Sequence, residues 1–211
     1  MLFLSAVAFI TLLMSFSPAM HVQNIPNDYI IKERGDLSKP SLEVFGANGK
    51  LAYTFSKSKR VPPRGKTTVI ITDPSLKQLF SMFSTNDYCD AKTEYGQFQA
   101  PAAKDNLLKQ QYKYDNSRAF GKDLWRFNYY SDAAGARIYF KFEKNRTNKG
   151  GKIYKVAAGQ PSEFVGQLRS QLRYDKWLDP VKGTKTFTLS CIDGAPLPKL
   201  VTLLGLVFLQ C

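Results

Sequence analysis

Short runs in which apolar and polar residues alternate recur along most of the chain, and each is bounded by residues that favour turns. Ser41-Leu42-Glu43-Val44-Phe45 alternates polar and apolar. Gly46-Ala47-Asn48-Gly49 then supplies residues that tolerate positive φ, and Leu51-Ala52-Tyr53-Thr54-Phe55 returns, which predicts a β-hairpin. Tyr29 to Ile31 opens the series. Further strands are predicted at Thr67–Thr72, Tyr88–Phe98, Leu107–Tyr114, Leu124–Tyr130, Ala136–Phe142, Lys152–Ala157 and Thr184–Ser190. Leu76–Phe83 and Gly166–Tyr174 fit the strand series as well. However, Leu76, Leu79, Phe80 and Phe83, and likewise Phe164, Val165, Leu168 and Leu172, also follow helical spacing, so both segments read equally as strand or short helix. A spacing of roughly 10 to 17 residues with no long amphipathic pattern in between predicts a closed or nearly closed all-β domain.

The end of the chain breaks this rhythm. Pro198–Cys211 is apolar around nearly its whole circumference and is interrupted only by Lys199, Thr202 and Gln210. As a helix it would need complete enclosure by protein or lipid. At about 1.5 Å per residue it spans roughly 21 Å, short of the ~30 Å hydrocarbon core of a bilayer, which favours enclosure by protein. Pro196 and Pro198, after the turn-prone Asp193-Gly194, mark where such a helix starts. The helix is placed at 197–211, with Leu200, Leu203, Leu204, Val207 and Phe208 as its core contacts, inside a container built from the strands.

Strands followed by one wholly apolar helix, together with Tyr29-Ile30-Ile31-Lys32-Glu33-Arg34, the hairpin Pro40–Tyr53 and Leu124-Trp125-Arg126-Phe127, resemble the tubby C-terminal-like superfamily over about residues 27–211. That superfamily includes tubby domains, plant LURP-one-related proteins and phospholipid scramblases. The resemblance implies a mainly β fold, a closed antiparallel barrel of about twelve strands threaded by a hydrophobic central helix. It also implies binding of membrane lipid or protein as the usual role.

At the other end, Leu2–Phe16 is apolar apart from Ser5, Thr11 and Ser15, and no formal charge precedes Asp28. Small residues at Ser17 and Ala19 suit signal-peptide cleavage after Ala19, which assigns residues 1–19 to a secretory leader and the protein to the secretory pathway. The missing basic n-region leaves two other readings open. One is an uncleaved anchor with a cytosolic barrel, because Lys32, Arg34 and Lys39 follow the apolar run. The other is a start extension on a cytosolic protein. Asn145-Arg146-Thr147 is an N-glycosylation sequon at Asn145, meaningful only if the leader is real. A lipid-anchor signal at the C-terminus lacks the required polar spacer. Three cysteines, Cys89, Cys191 and Cys211, allow either a Cys89–Cys191 bridge or free buried thiols.

Charge narrows the partners. Thirty Lys and Arg against seventeen Asp and Glu leave a net +13. No acid occurs between Glu43 and Asp73, whereas Lys50, Lys57, Lys59, Arg60, Arg64 and Lys66 all do. Pro62-Pro63 stiffens the segment that carries them. A second cluster, Lys141, Lys144, Arg146, Lys149, Lys152 and Lys155, contains only Glu143. Lys57, Lys59, Arg60, Arg64 and Lys66 are therefore the candidate contacts to an anionic membrane lipid of phosphoinositide type, each cation near such a surface contributing around 1 kcal/mol. A protein partner is the alternative. Solvated loops that keep the barrel soluble are the simpler reading of the same residues. Nucleic acid fits less well, since Tyr112, Tyr114, Tyr129, Tyr130 and Tyr139 fall at strand positions that barrel packing would occupy.

Enzyme chemistry has little footing. His21 is the single histidine, so neither a histidine triad nor a multi-histidine metal site can form within the domain. Gly65-Lys66-Thr67 resembles the end of a phosphate-binding loop, but Arg60 occupies the position of its first glycine. No cofactor, metal or catalytic residue is assigned. Lipid translocation as in scramblases is the runner-up, weakened by the lack of a D-x-D-x-D-G calcium loop. A secreted hydrolase comes third.

Overall fold

A computed structural model describes residues 27–33, 41–58, 66–87, 93–98, 108–115, 124–145 and 150–208. Twelve strands run in chain order: β1 (Asn27–Lys32), β2 (Ser41–Gly46), β3 (Leu51–Lys57), β4 (Thr67–Thr72), β5 (Gln78–Ser84), β6 (Glu94–Phe98), β7 (Leu108–Asp115), β8 (Leu124–Ser131), β9 (Ala136–Lys144), β10 (Gly151–Val156), β11 (Glu163–Arg173) and β12 (Thr184–Cys191). Each pairs antiparallel with its neighbour in sequence, and β1 closes on β12 to complete the barrel. One helix follows, α1 (Leu197–Phe208). The all-β expectation and the barrel of about twelve strands are both met. Both ambiguous segments resolve as strands, β5 and β11, because their inward residues Phe80 and Met82, and Val165 and Leu168, complete the wall that faces the helix.

The helix occupies the barrel interior. Every residue from Leu200 to Phe208 is buried, including the expected contacts Leu200, Leu203, Leu204, Val207 and Phe208. Its neighbours come from different parts of the wall. Phe208 stacks on Phe187 of β12 with ring centroids 3.9 Å apart, and the Tyr112 hydroxyl of β7 donates to the Lys199 carbonyl at 2.9 Å. An eight-strand barrel is filled by its own side chains. Twelve strands enclose a wider bore, and a helix of about 10 Å diameter fits it. An aromatic ladder lines one side, Tyr112 on Phe127 at 5.2 Å and Phe127 on Phe140 at 4.7 Å. Thr202, the one polar residue enclosed in the helix, donates its hydroxyl to the Pro198 carbonyl at 2.8 Å, so its own donor is satisfied within the helix.

Antiparallel order fixes two rims. At the entry rim the chain passes from β12 into α1, and Asn27 begins β1; the turns after β2, β4, β8 and β10 lie there too. At the exit rim, where α1 ends, β3 and β4 meet at Lys57 and Thr67, and β9 and β10 at Lys144 and Gly151. The strands flanking both basic segments of the sequence therefore end on one rim.

The β1–β2 seam is short, pairing Tyr29 with Gly46 and Ile30 with Phe45. The segment after β11 reinforces it from outside. Arg173 binds Asp28 and Asp175, and Trp177 packs against Phe45 with centroids 5.3 Å apart while its indole N–H donates to the Ala47 carbonyl at 3.2 Å. The predicted hairpin turn is present between β2 and β3, with Gly49 at φ +77°. A Cβ at Gly49 would come within 2.6 Å of the Trp177 ring, so this glycine serves both the turn and the contact.

Candidate anion-binding surface

The basic residues chosen from sequence separate in the fold. Lys57 shares the inward face of β3 with Phe55 and pairs with Asp87 at 3.0 Å, the two side chains being 15% and 6% exposed. The Asp87 carboxylate also binds the Tyr95 hydroxyl, and burial, with the carboxylate second, pushes that phenol well above its ordinary range. Lys57 thus carries a charge already balanced inside the exit mouth, not one offered to a surface. Its position in an acid-free stretch of sequence concealed a partner thirty residues away. Lys66 is exposed at the exit rim, its ammonium 4.9 Å from the Phe83 ring centroid. Lys59, Arg60 and Arg64 lie outside the described residues. Asn145 is exposed at the end of β9, with its N–H donated to the Gly150 carbonyl at 2.8 Å.

A basic face that sequence reasoning did not isolate lies on the outer wall of β7–β10. Register places Lys113 directly opposite Arg126, and Arg126 directly opposite Lys141, so three cations cross three adjacent strands in one row. Like charges in directly opposed positions destabilise a sheet, since their Cβ atoms are only about 5 Å apart. The acids bordering the row are Asp115, which pairs with Arg126, Glu143, which pairs with Lys141 at 2.9 Å, and Glu94, opposite Lys113. These are surface pairs, with Arg126 59% exposed, and such pairs hold weakly enough for an incoming anion to compete. Lys109, Arg137 and Lys152 add positive charge on the same wall.

Aromatic groups interleave with the cations. Tyr139 stands opposite Asn128 and Tyr130 opposite Arg137, and they are 49% and 39% exposed. Lys141 lies over the Tyr154 ring at 5.3 Å from its centroid. Tyr112 and Tyr114 are buried inside the barrel as packing requires, but Tyr130 and Tyr139 face outward and do not belong to the core. Strand parity decides this: Tyr129 and Tyr130 are adjacent in sequence and point to opposite sides of the wall. The row is legible only once strands are paired, because Lys113, Arg126 and Lys141 are scattered along the chain.

Cys191 is a free thiol, completely buried, and its pKa is pushed up to about 11 by burial and by Asp28 and Asp193. It is thus a packing residue rather than half of a bridge; Cys89 and Cys211 lie outside the described residues, as do His21 and the apolar segment before Asn27. Among the described residues no group of His, Cys, Asp and Glu is arranged to hold a metal ion, and no helix is long and apolar enough to cross a membrane.

Comparison with family models, with curated proteins and with solved structures gives no match to this chain. The architecture itself, a closed barrel around a buried C-terminal helix, is the mainly β fold expected from the sequence.

Proposed function

We propose that this chain is a non-enzymatic barrel of tubby-like type that binds anionic membrane surfaces, using the outer wall of β7–β10 and the adjoining exit rim. The observation that carries this reading is the row Lys113–Arg126–Lys141 beside the half-exposed Tyr130 and Tyr139. A row of opposed cations costs stability in the free protein, and a polyanion removes that cost. Tyrosine is suited to the headgroup layer of a membrane, where its ring meets the acyl boundary and its hydroxyl stays wet. Lys66 and Lys144 at the exit rim extend the positive field beyond the wall.

The test is co-sedimentation of the full chain with phosphatidylcholine vesicles, and with vesicles that also contain a phosphoinositide, at low and high salt. Recovery on the anionic vesicles, falling steeply with salt, is the expected result. The same basic and aromatic face could stack single-stranded nucleic acid, so an oligonucleotide competitor is included. Displacement by the oligonucleotide at a lower phosphate concentration than the lipid would replace the membrane reading, and equal recovery on neutral and anionic vesicles would refute it.

A further inference from the structure

At the entry mouth the first turn of α1 brings together polar groups that the fold leaves unused. The Lys199 side chain extends along the mouth, its ammonium 3.9 Å from the Phe80 ring centroid of β5 and 5.7 Å from that of Tyr129 on β8. It donates to Gln110 Oε1 on β7 and has no carboxylate partner among the described residues. Lys109, on the same strand, adds a second positive charge, and the helix N-terminus adds the positive end of its dipole. Burial, with Lys109 second, holds the Lys199 amine down to about 8.

Two amide atoms nearby lack partners. Gln110 is completely buried, and its Nε2, on the same planar amide that meets Lys199, donates to nothing. Gln97 stands directly opposite Gln110 across the β6–β7 pair, and its Oε1 is buried and accepts nothing. A buried donor or acceptor without a partner costs about 1–3 kcal/mol. The unused set is therefore an uncompensated ammonium with free N–H groups, an amide donor and an amide acceptor, backed by two aromatic rings.

We infer that the entry mouth binds a small hydroxy acid. The carboxylate accepts from Lys199 Nζ and Gln110 Nε2, the hydroxyl donates to Gln97 Oε1, and Phe80 and Tyr129 shield the contact from water. A simple carboxylate leaves the Gln97 acceptor unpaired, and a neutral alcohol leaves the ammonium uncompensated. Gln110 faces into the barrel, on the opposite side of the wall from the row Lys113–Arg126–Lys141, and the site does not depend on membrane binding.

The experiment titrates the full chain, with 15N-labelled side-chain amides, against lactate, propionate and propylene glycol. Lactate is expected to shift the Gln110 and Gln97 NH2 resonances saturably, propionate to bind at least tenfold more weakly, and propylene glycol not to bind. Affinity is expected to fall as pH rises through about 8, where Lys199 loses its charge; among the described residues Lys109, Tyr129 and Tyr112, whose hydroxyl meets the Lys199 carbonyl, are other titratable groups near it. Lys199→Met is expected to abolish the lactate shift, and Lys113→Glu to leave it unchanged. The wild-type titration is decisive even if Lys199→Met does not fold. No saturation by lactate, equal affinity for propionate, or shifts confined to the outer wall would each overturn the assignment.

Discussion

Gly205 of α1 lies flat against Phe55 of β3, so that a Cβ at Gly205 would come within 2.3 Å of the Phe55 ring. Helix and wall leave no room for a side chain at this point, and both partners are buried. Gly205→Ala should therefore destabilise the barrel by about 1–3 kcal/mol, because overpacking outweighs the ~1 kcal/mol by which alanine favours a helix over glycine. Denaturant unfolding measures the loss, and Gly205→Ala combined with Phe55→Leu should recover part of it. An unchanged midpoint would mean that the helix is not held against β3.

Leu204→Asp tests enclosure more severely. Leu204 is 0% exposed, and the nearest polar atoms of the helix are already engaged. A carboxylate with no partner in such a site costs several kcal/mol, against a typical total stability of about 5–15 kcal/mol. The variant is expected to be recovered only as insoluble or unfolded chain. A monomeric product with wild-type thermal stability would contradict a helix inside the barrel.

Leu76 in the β4–β5 turn has φ 65° and is 73% exposed. Asp73 Oδ1 holds the turn by accepting from the backbone N–H groups of Ser75 and Lys77 and from the Ser75 hydroxyl, and these bonds, the hydroxyl first, hold its carboxyl below the usual range. A leucine in the left-handed region is strained by roughly 1–2 kcal/mol and gains nothing from burial here. Leu76→Gly should raise stability by about 1 kcal/mol in thermal or denaturant unfolding. A loss of stability would show that the leucine packs in a way its exposure does not reveal.

Lys199 gives a pH dependence with a definite sign. Its amine titrates near 8 in the folded chain against an ordinary value near 10.5, so between these values the unfolded chain binds more protons. Stability must then rise with pH across that window, and the destabilising charge is fully present below about 8. Lys199→Met lacks this term. The stability of the wild type relative to Lys199→Met should increase from pH 8 to pH 10.5 and stay level below pH 7. A difference independent of pH would mean that the ammonium is not desolvated at the entry mouth.

The sequence shows the barrel more plainly than the surface that faces a partner. Leu42 and Val44 of β2 and Phe55 of β3 are enclosed while Glu43 between the first two is exposed, because one side of the strand meets the helix and the other meets solvent, and Leu200–Phe208 is apolar nearly all round because every direction from it is wall. Those patterns are local. Leu76–Phe83 was ambiguous because Leu79 is an apolar residue on the outer side of β5, 39% exposed, which masks the strand period with a helical one. The charges were harder to read. Lys57 looked available because Asp87, its partner, is distant in sequence, and the row of Lys113, Arg126 and Lys141 exists only through the pairing of β7, β8 and β9. Exposure of Tyr130 but burial of Tyr114 likewise follows from strand parity set by the barrel.

The most direct measurement of membrane binding by the outer wall is quantitative co-sedimentation of Lys113→Glu/Arg126→Glu/Lys141→Glu with phosphoinositide-containing vesicles. Each cation near an anionic surface contributes around 1 kcal/mol, so reversing three should weaken binding by at least a hundredfold. The fold should remain intact, because exposed charges contribute little to stability. The same loss should not follow from Lys57→Met, whose charge is already paired with Asp87. Wild-type vesicle binding by the triple variant, with circular dichroism and melting unchanged, would contradict the assignment of this wall as the binding surface.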